Sequence, residues 1–262
     1  MTDALSSTSR KEPGPDGPPV VTGPQVSALA GRIFAGCGSV VFRLMQRYRS
    51  YIAPIAEVVS TVPPGSAVLD VGCGGGLLLH VLARTDRLAA GSVGFDSSPG
   101  AIKIAQDALA RHAALAGSTQ QPVLRFELRA VADGWPAGPD DLGGLFDVVT
   151  IVDVIHHVGA GLQASGSPAG RSAQRGVIEQ ACDLVRPGGL LIYKDMCRRP
   201  LWRAWANRCH DLLMARQWIN YCPVEDVEAW ARERGMVVLT RGRRNMWWYG
   251  HEGLVLQKRR PN

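Results

Sequence analysis

Two stretches of this 262-residue chain carry residue types and spacings that can do chemistry. The first is residues 68–76, VLDVGCGGG, followed by the apolar run Leu77 to Ala83. A short apolar run with one carboxylate, Asp70, reads as a buried parallel strand. Gly72, Gly74 and Gly76 then form a tight turn whose backbone can approach a ligand, and the unpaired N–H groups of the next helix can hold an anion. Twenty residues past Gly76, the segment 91–96, GSVGFD, ends a second short strand in Asp96. In βαβ nucleotide folds an acid at that strand tip accepts from both hydroxyls of a ribose. Asp96 and Ser97 also suit the simpler role of capping the following helix. The second stretch is residues 145–158, LFDVVTIVDVIHHV. Its strand, 146–152, delivers Asp153, His156 and His157 to the carboxyl end of a sheet, where open α/β folds place ligands.

The glycine turn excludes two common readings. A dinucleotide fingerprint requires a third glycine where Leu77 stands, and a phosphate loop requires a lysine that is missing. The adjacent histidines would point in different directions and no third ligand is near, so a metal site is not expected. A histidine leaving strand four can act as a general base or simply line a pocket. His157, one residue further along, has more freedom to face a substrate than His156.

The elements that must position these residues alternate strand with helix. Helical spacing runs from Gln25 to about Ser60, with Val26, Leu29, Ile33 and then Val41, Leu44 and Met45 as its apolar positions. A basic aromatic stripe, Arg43, Arg47, Tyr48, Arg49 and Tyr51, is either a solvated face or a pocket wall. Strands are expected at 66–71, 91–96, 123–128, 146–152 and 190–193. The helix at 100–116 should be capped by Ser98 with Pro99 in its first turn. Helices are expected at 172–185, 201–218 and 223–235, and a closing antiparallel hairpin at 236–240 and 253–257. The pattern gives a doubly wound α/β sheet. Residues 1–24, rich in Ser, Pro and Gly, read as a disordered tail, and residues 25–262 as one domain.

Four ordered landmarks, 68–76, 91–96, 146–158 and 186–195 (RPGG before an apolar strand), together resemble the class I S-adenosylmethionine (SAM)-dependent methyltransferases. The resemblance covers roughly residues 65–257. It implies a Rossmann-like seven-stranded sheet with an antiparallel last strand, a helical N-terminal segment, and a helical lid at about 199–220. It implies SAM as cofactor, with the backbone of Gly72, Cys73, Gly74 and Gly76 against its methionine and sugar. It also places Asp70 at the α-amino group, Asp96 at the ribose diol and Ser97 against adenine. Asp133 would meet the adenine amino group, and Val152 and Asp153 would border the amino-acid part. The Asn/Asp-Pro-Pro-Tyr/Phe tetrad used for base and amide nitrogens is absent, since TIVD occupies residues 150–153. A small aromatic or lipophilic acceptor is therefore expected, with oxygen favoured over carbon. An RNA methyltransferase and a non-catalytic SAM-binding protein are the alternatives.

Composition sets the outer bounds. At 46% hydrophobic and 20% charged, the chain can bury a full core. No stretch approaches the roughly 18 apolar residues of a membrane span, and no signal-peptide pattern is visible, so a cytoplasmic location is expected. The six cysteines form no C-x-x-C pair and read as free thiols. The net charge of +6, gathered in Arg198 to Arg216 and Arg241 to Arg260, fits a solvated basic face at least as well as a nucleic-acid surface.

Overall fold

The computed structural model describes residues 20–116, 124–159, 167–197 and 219–260 apart from 248, with Trp202, Trp205, Arg208 and Cys209 between. Seven strands form one sheet in the order β3-β2-β1-β4-β5-β7-β6. They are β1 Val68–Val71, β2 Ser92–Asp96, β3 Leu124–Leu128, β4 Phe146–Val152, β5 Val185–Met196, β6 Met236–Met246 and β7 Tyr249–Lys258. The first five are mutually parallel, and β7 inserts antiparallel between β5 and β6. The strand order reverses between β1 and β4, which is the switch point at which open α/β sheets bind ligands.

Helices cover both faces. On one side lie α1 Gly23–Ile33, α2 Val40–Ile52, α3 Ile55–Thr61, α4 Leu77–Arg84 and α5 Pro99–Ala116. On the other lie α6 Pro168–Leu184 and α7 Val224–Glu233. Side chains alternate between these layers with the period of two that a pleated strand imposes. Val148, Val152 and Ile192 pack toward the first group, while Val149, Ile151 and Tyr193 pack toward the second. The same alternation turns Asp70, Thr150 and Lys194 toward the first face. The site is thus decided by strand register.

Several boundaries differ from the sequence reading. The chain is helical from Gly23, where Thr22 caps α1 in a capping box, so ordered structure starts inside the expected tail; residues 1–19 lie outside the described residues. Helix α6 begins at Pro168, earlier than expected, because Ser167 caps it through the Gly170 N–H. Arg186 to Gly189 is not a turn before β5 but part of it, paired irregularly against β4. The hairpin β6–β7 is about twice as long as its apolar core indicated, because its distal half is a run of polar residues. The expected lid helix falls almost entirely outside the described residues; Trp202, Trp205, Arg208 and Cys209 within it are helical.

The largest departure is α2. Its apolar residues Val40, Val41, Leu44 and Met45 are exposed, and its buried residues are Gln46 and Ser50. The helix packs Phe42 on the core, ties Ser50 to Gly23 O of α1 and turns Gln46 and Arg49 toward the glycine-loop cleft, so its inward face is largely polar. No helix among the described residues is long and apolar enough to cross a membrane.

Candidate cofactor and acceptor site

The register pairs Asp70 of β1 with Thr150 of β4. The Thr150 hydroxyl donates to Asp70 Oδ1 at 2.7 Å, the polar partner that a buried carboxylate needs. Asp70 is 3% exposed. Burial pushes its pKa up to about 7, against the Thr150 hydrogen bond; nearby Asp96 raises it further and Arg49 lowers it. A cation brought beside Asp70 would restore its charge, as both the ammonium and the sulfonium of SAM would.

The glycines do different jobs. All three have left-handed backbone, with φ of 66°, 53° and 78° at Gly72, Gly74 and Gly76. A Cβ at Gly72 would lie 2.6 Å from Val154 Cγ2, and one at Gly76 would lie 2.6 Å from the Phe126 ring. These two are required by the protein's own packing. A Cβ at Gly74 would meet nothing within 4 Å, so Gly74 faces open space on the ligand side. Between them the Cys73 N–H donates to Phe95 O at 3.0 Å, tying the loop to β2. Burial and the charges of Asp70 and Asp96 push the Cys73 thiol far up, so it stays neutral.

Asp96 is half-buried at the tip of β2. Its Oδ2 accepts from the Gly74 N–H at 2.9 Å and its Oδ1 from the Ser98 N–H at 2.8 Å. Each oxygen keeps acceptor capacity, so the carboxylate is oriented and still able to receive a diol. Ser98 caps α5 as expected, and Ser97 is exposed beside it. Asp133 is exposed and closes its own turn, its Oδ2 accepting from the Ala130 N–H at 3.2 Å. The cleft is completed by Gln46, Arg49, Ile55, Leu77 and Val152. Arg49 thus realises one part of the basic stripe as a wall, while Tyr48 stays exposed.

Beyond Val152 the chain turns sharply. Asp153 is held at φ 57°, in the left-handed region, and its N–H donates to Lys194 O at 2.9 Å. Its carboxylate lies 3.3 Å from His251 Nδ1 and 3.8 Å from the Arg49 guanidinium. Burial opposes its charge, but His251 and then Arg49 and His156 outweigh burial and hold the pKa down at about 2. His251 Nε2 faces Ile52 O at 2.8 Å. With Ile52 O at one ring nitrogen and the Asp153 carboxylate near the other, the surroundings of His251 favour its protonated form. Burial works against that cation, yet Asp153 raises its pKa above the ordinary value.

The two candidate histidines part company. His156 is 1% exposed and faces Asp195 of β5. Asp195 Oδ2 accepts the His156 backbone N–H at 3.1 Å, and Oδ1 accepts both the Met196 N–H at 2.7 Å and the His156 ring. A carboxylate only accepts, so Nδ1 donates and Nε2 is the basic ring nitrogen. His157 is half-buried, with its ring centroid 4.0 Å from that of His156. Sequence reasoning missed Asp195 and His251, because nothing local marks them; only the β5–β7 register, Asp195 with Glu252 and Met196 with His251, brings them to this edge. Gln46 was hidden by being polar on a helix read for its apolar face.

The fold and this glycine-loop cleft define a class I SAM-dependent methyltransferase, and residues 42–241 match the family model described as a methyltransferase domain, so the chain belongs to that family. Among curated proteins, it is 32% identical over 136 residues to a ubiquinone biosynthesis O-methyltransferase of Albidiferax ferrireducens, covering 52% of this chain and 43% of the relative. It is 28% identical over 180 residues to the same-named protein of Alkalilimnicola ehrlichii, covering 66% and 62%. The chain spans less than half the length of the first of these relatives. Among solved structures it is similar to magnesium protoporphyrin IX methyltransferase from Synechocystis PCC 6803, with TM-score 0.57, 19% identity, and coverage of 88% and 93%. It is similar too to the cyclase SpnF, with TM-score 0.59, 15% identity, and coverage of 94% and 100%. The last match carries a warning: one fold serves reactions with different names, so the reaction must be argued from the site.

Proposed function

We propose that this protein transfers a methyl group from SAM to a hydroxyl oxygen of a small aromatic, lipophilic acceptor. The names of its relatives favour oxygen and a lipophilic ring. When bound, SAM supplies a methyl already activated by the sulfonium. The S–CH3 bond breaks as the O–CH3 bond forms, the sulfonium leaves as a neutral thioether, and the hydroxyl proton must go to a base. The chain's residues hold and orient the reactants. Asp70 takes the α-ammonium end, Gly72 to Gly76 the methionine and sugar, Asp96 the diol, and Val152 and Asp153 the edge toward β4. Ser97 and Asp133 stand on the adenine side.

The observation that carries the base assignment is the contrast between the histidines. His156 is sealed and bound to Asp195, while the half-buried His157, tilted against it, keeps surface with which to meet an acceptor. His157 receives the proton, and the His156–Asp195 pair fixes the ring beneath it. The test is incubation with SAM labelled in its methyl and catechol as acceptor, followed by mass spectrometry of the product. A labelled methoxyphenol supports the reading. Binding of SAM with no transfer to any phenol would favour a non-catalytic binding protein, and salt-sensitive transfer to RNA would favour a nucleic-acid substrate. The reaction needs no membrane span and suits the cytoplasm.

A further inference from the structure

Helix α2 presents to solvent the face that its apolar spacing marked for burial. Val40, Val41, Leu44, Met45 and Tyr48 are 45–70% exposed. Their spacing, i, i+1, i+4, i+5 and i+8, puts them on one side of the helix, in a stripe about 12 Å long at 1.5 Å per residue. Scattered apolar residues are ordinary on a surface, but a contiguous stripe marks a place where something docks. The opposite side carries Phe42 on the core, Ser50 against α1 and Gln46 at the cofactor cleft. The stripe therefore sits on an anchored helix, one helix diameter, roughly 10 Å, from the cleft.

Charge decides what fits the stripe. Residues 20–56 hold Arg32, Arg43, Arg47 and Arg49 and no Asp or Glu. Arg49 faces Asp153. Arg43 and Arg47, one turn apart, edge the stripe beside Val40 and Leu44. A Cβ at Gly31 of α1 would lie 4.0 Å from Arg47 Cδ, so the Arg47 stem passes along α1 next to the exposed Arg32. Arg43 donates to Gly38 O, and among the described residues none of Arg32, Arg43 and Arg47 meets a carboxylate. The occupant must thus offer an apolar layer and negative charge side by side. A second copy of this chain offers only the first, since a two-fold contact through the stripe would bring two sets of arginines together. Nucleic acid offers the charge and leaves the aliphatic side chains in water. An anionic lipid surface offers both, with acyl chains under the stripe and phosphates at the arginines.

We infer that α2 is a docking helix that lays the domain on an anionic lipid bilayer. Val41, Leu44 and Met45 enter the acyl boundary, and Arg32, Arg43 and Arg47 meet headgroup phosphates. Tyr48, with an apolar ring and a polar tip, sits between the two layers. The helix lies on the bilayer and crosses nothing. Docking holds the cofactor cleft close to the phase in which a lipophilic acceptor dissolves, yet it requires no step of the proposed methyl transfer.

The experiment is flotation of the full chain with vesicles of phosphatidylcholine, alone or mixed with phosphatidylglycerol, at low and high salt. The chain should float with the mixed vesicles, come off as salt rises, and bind the neutral vesicles about tenfold more weakly or worse. Val41→Ser combined with Leu44→Ser should lose flotation and keep the wild-type melting temperature, because both side chains are exposed. Arg32→Gln combined with Arg47→Gln should weaken flotation about tenfold or more. Arg259→Gln combined with Arg260→Gln removes the same charge from the exposed residues after β7 and should leave flotation in place. Equal loss from the two arginine pairs would reduce the attraction to net charge and overturn the docking helix. So would flotation that survives the serine pair. Absence of flotation with the mixed vesicles overturns the proposal outright; a lipid-free dimer that the serine pair splits, or RNA binding that the Arg32 and Arg47 changes abolish, then identifies the occupant as a second copy or a nucleic acid. Flotation reads lipid and not turnover, so its failure and a failure of methyl transfer are told apart.

Discussion

Asp70→Asn should make the ligand-free protein more stable at about pH 8 while weakening cofactor binding. The carboxyl has an ordinary pKa of 3.8 and is raised to about 7 by burial in the fold. The folded state therefore holds a proton that the unfolded chain has released across that interval, and stability falls as pH rises from about 4 to about 7. Above that window the full cost of an ionised buried carboxylate is present, roughly 4 kcal/mol at 1.36 kcal/mol for each tenfold change in proton affinity. Asparagine removes the charge and keeps an oxygen for the Thr150 hydroxyl. Its new amide must find partners, at a cost of about 1–2 kcal/mol, so the net gain at high pH should be about 2 kcal/mol or more. Urea unfolding of both proteins from about pH 4 to pH 8 reads this directly: wild type should lose stability with rising pH and the variant should not, apart from slopes both share. Added S-adenosylhomocysteine should stabilise wild type more than the variant. A variant less stable than wild type at pH 8, or parallel pH profiles, would refute the account of Asp70 as a strained anion awaiting a cation.

The remaining expectations address other parts of the site. His157→Ala should lower turnover by about 10²–10⁴-fold with cofactor affinity unchanged; a few-fold loss in steady-state assays would make it pocket lining. Asp195→Asn frees the tautomer of His156 and should shift the pH dependence of turnover, which a merely structural carboxylate would leave in place. Alanine at any of the three glycines Gly72, Gly74 and Gly76 should lower the melting temperature because each has left-handed backbone, most at Gly72 and Gly76, which also clash internally, and least at Gly74, where calorimetry should show weakened cofactor binding as well. The Asp153–His251 interaction should stabilise the fold most between about pH 4 and 6.5. It is lost as pH falls through the depressed Asp153 value of about 2, and lost again as pH rises through the raised value of His251. Asp153→Asn should remove about 2 kcal/mol within that window, measured by denaturant unfolding. Asp96→Ala should weaken cofactor binding by about 1.5–3 kcal/mol through the lost diol contacts.

The cofactor half of the site was legible because it is local. Asp70, the glycines and Asp96 fall within 27 consecutive residues of one βαβ unit, and strand, turn and cap signals all agree there. The structure brings Asp70, the glycine turn and Asp96 together at the ends of β1 and β2, where a Cβ at Gly72 or Gly76 would collide with Val154 or Phe126 and one at Gly74 would meet nothing. The polar residues at the β4–β5–β7 end of the sheet were not legible. Asp195, Lys194 and His251 are polar residues in strands read for their apolar pattern, and they meet only through the pairing of β4, β5 and β7. Periodicity misled at α2 for a related reason: the helix buries Gln46 at the cleft and Ser50 against α1, and reading its apolar stripe as the buried face inverts it. The length of the β6–β7 hairpin was hidden because its outer half carries arginines in place of the alternation that marks a half-buried strand.

The bond from the His251 ring to Ile52 O joins positions 199 residues apart in the sequence. Its consequence is one of timing. The glycine loop, Asp70 and Asp96 come from 27 consecutive residues, whereas the Arg49–Asp153–His251 wall draws on α2, the end of β4 and β7. Closing a contact of such sequence separation is slow compared with local structure. A chain lacking β7 would lack His251, and with it the partner of Asp153 and the tie to Ile52 O, so the wall behind the cleft depends on β7.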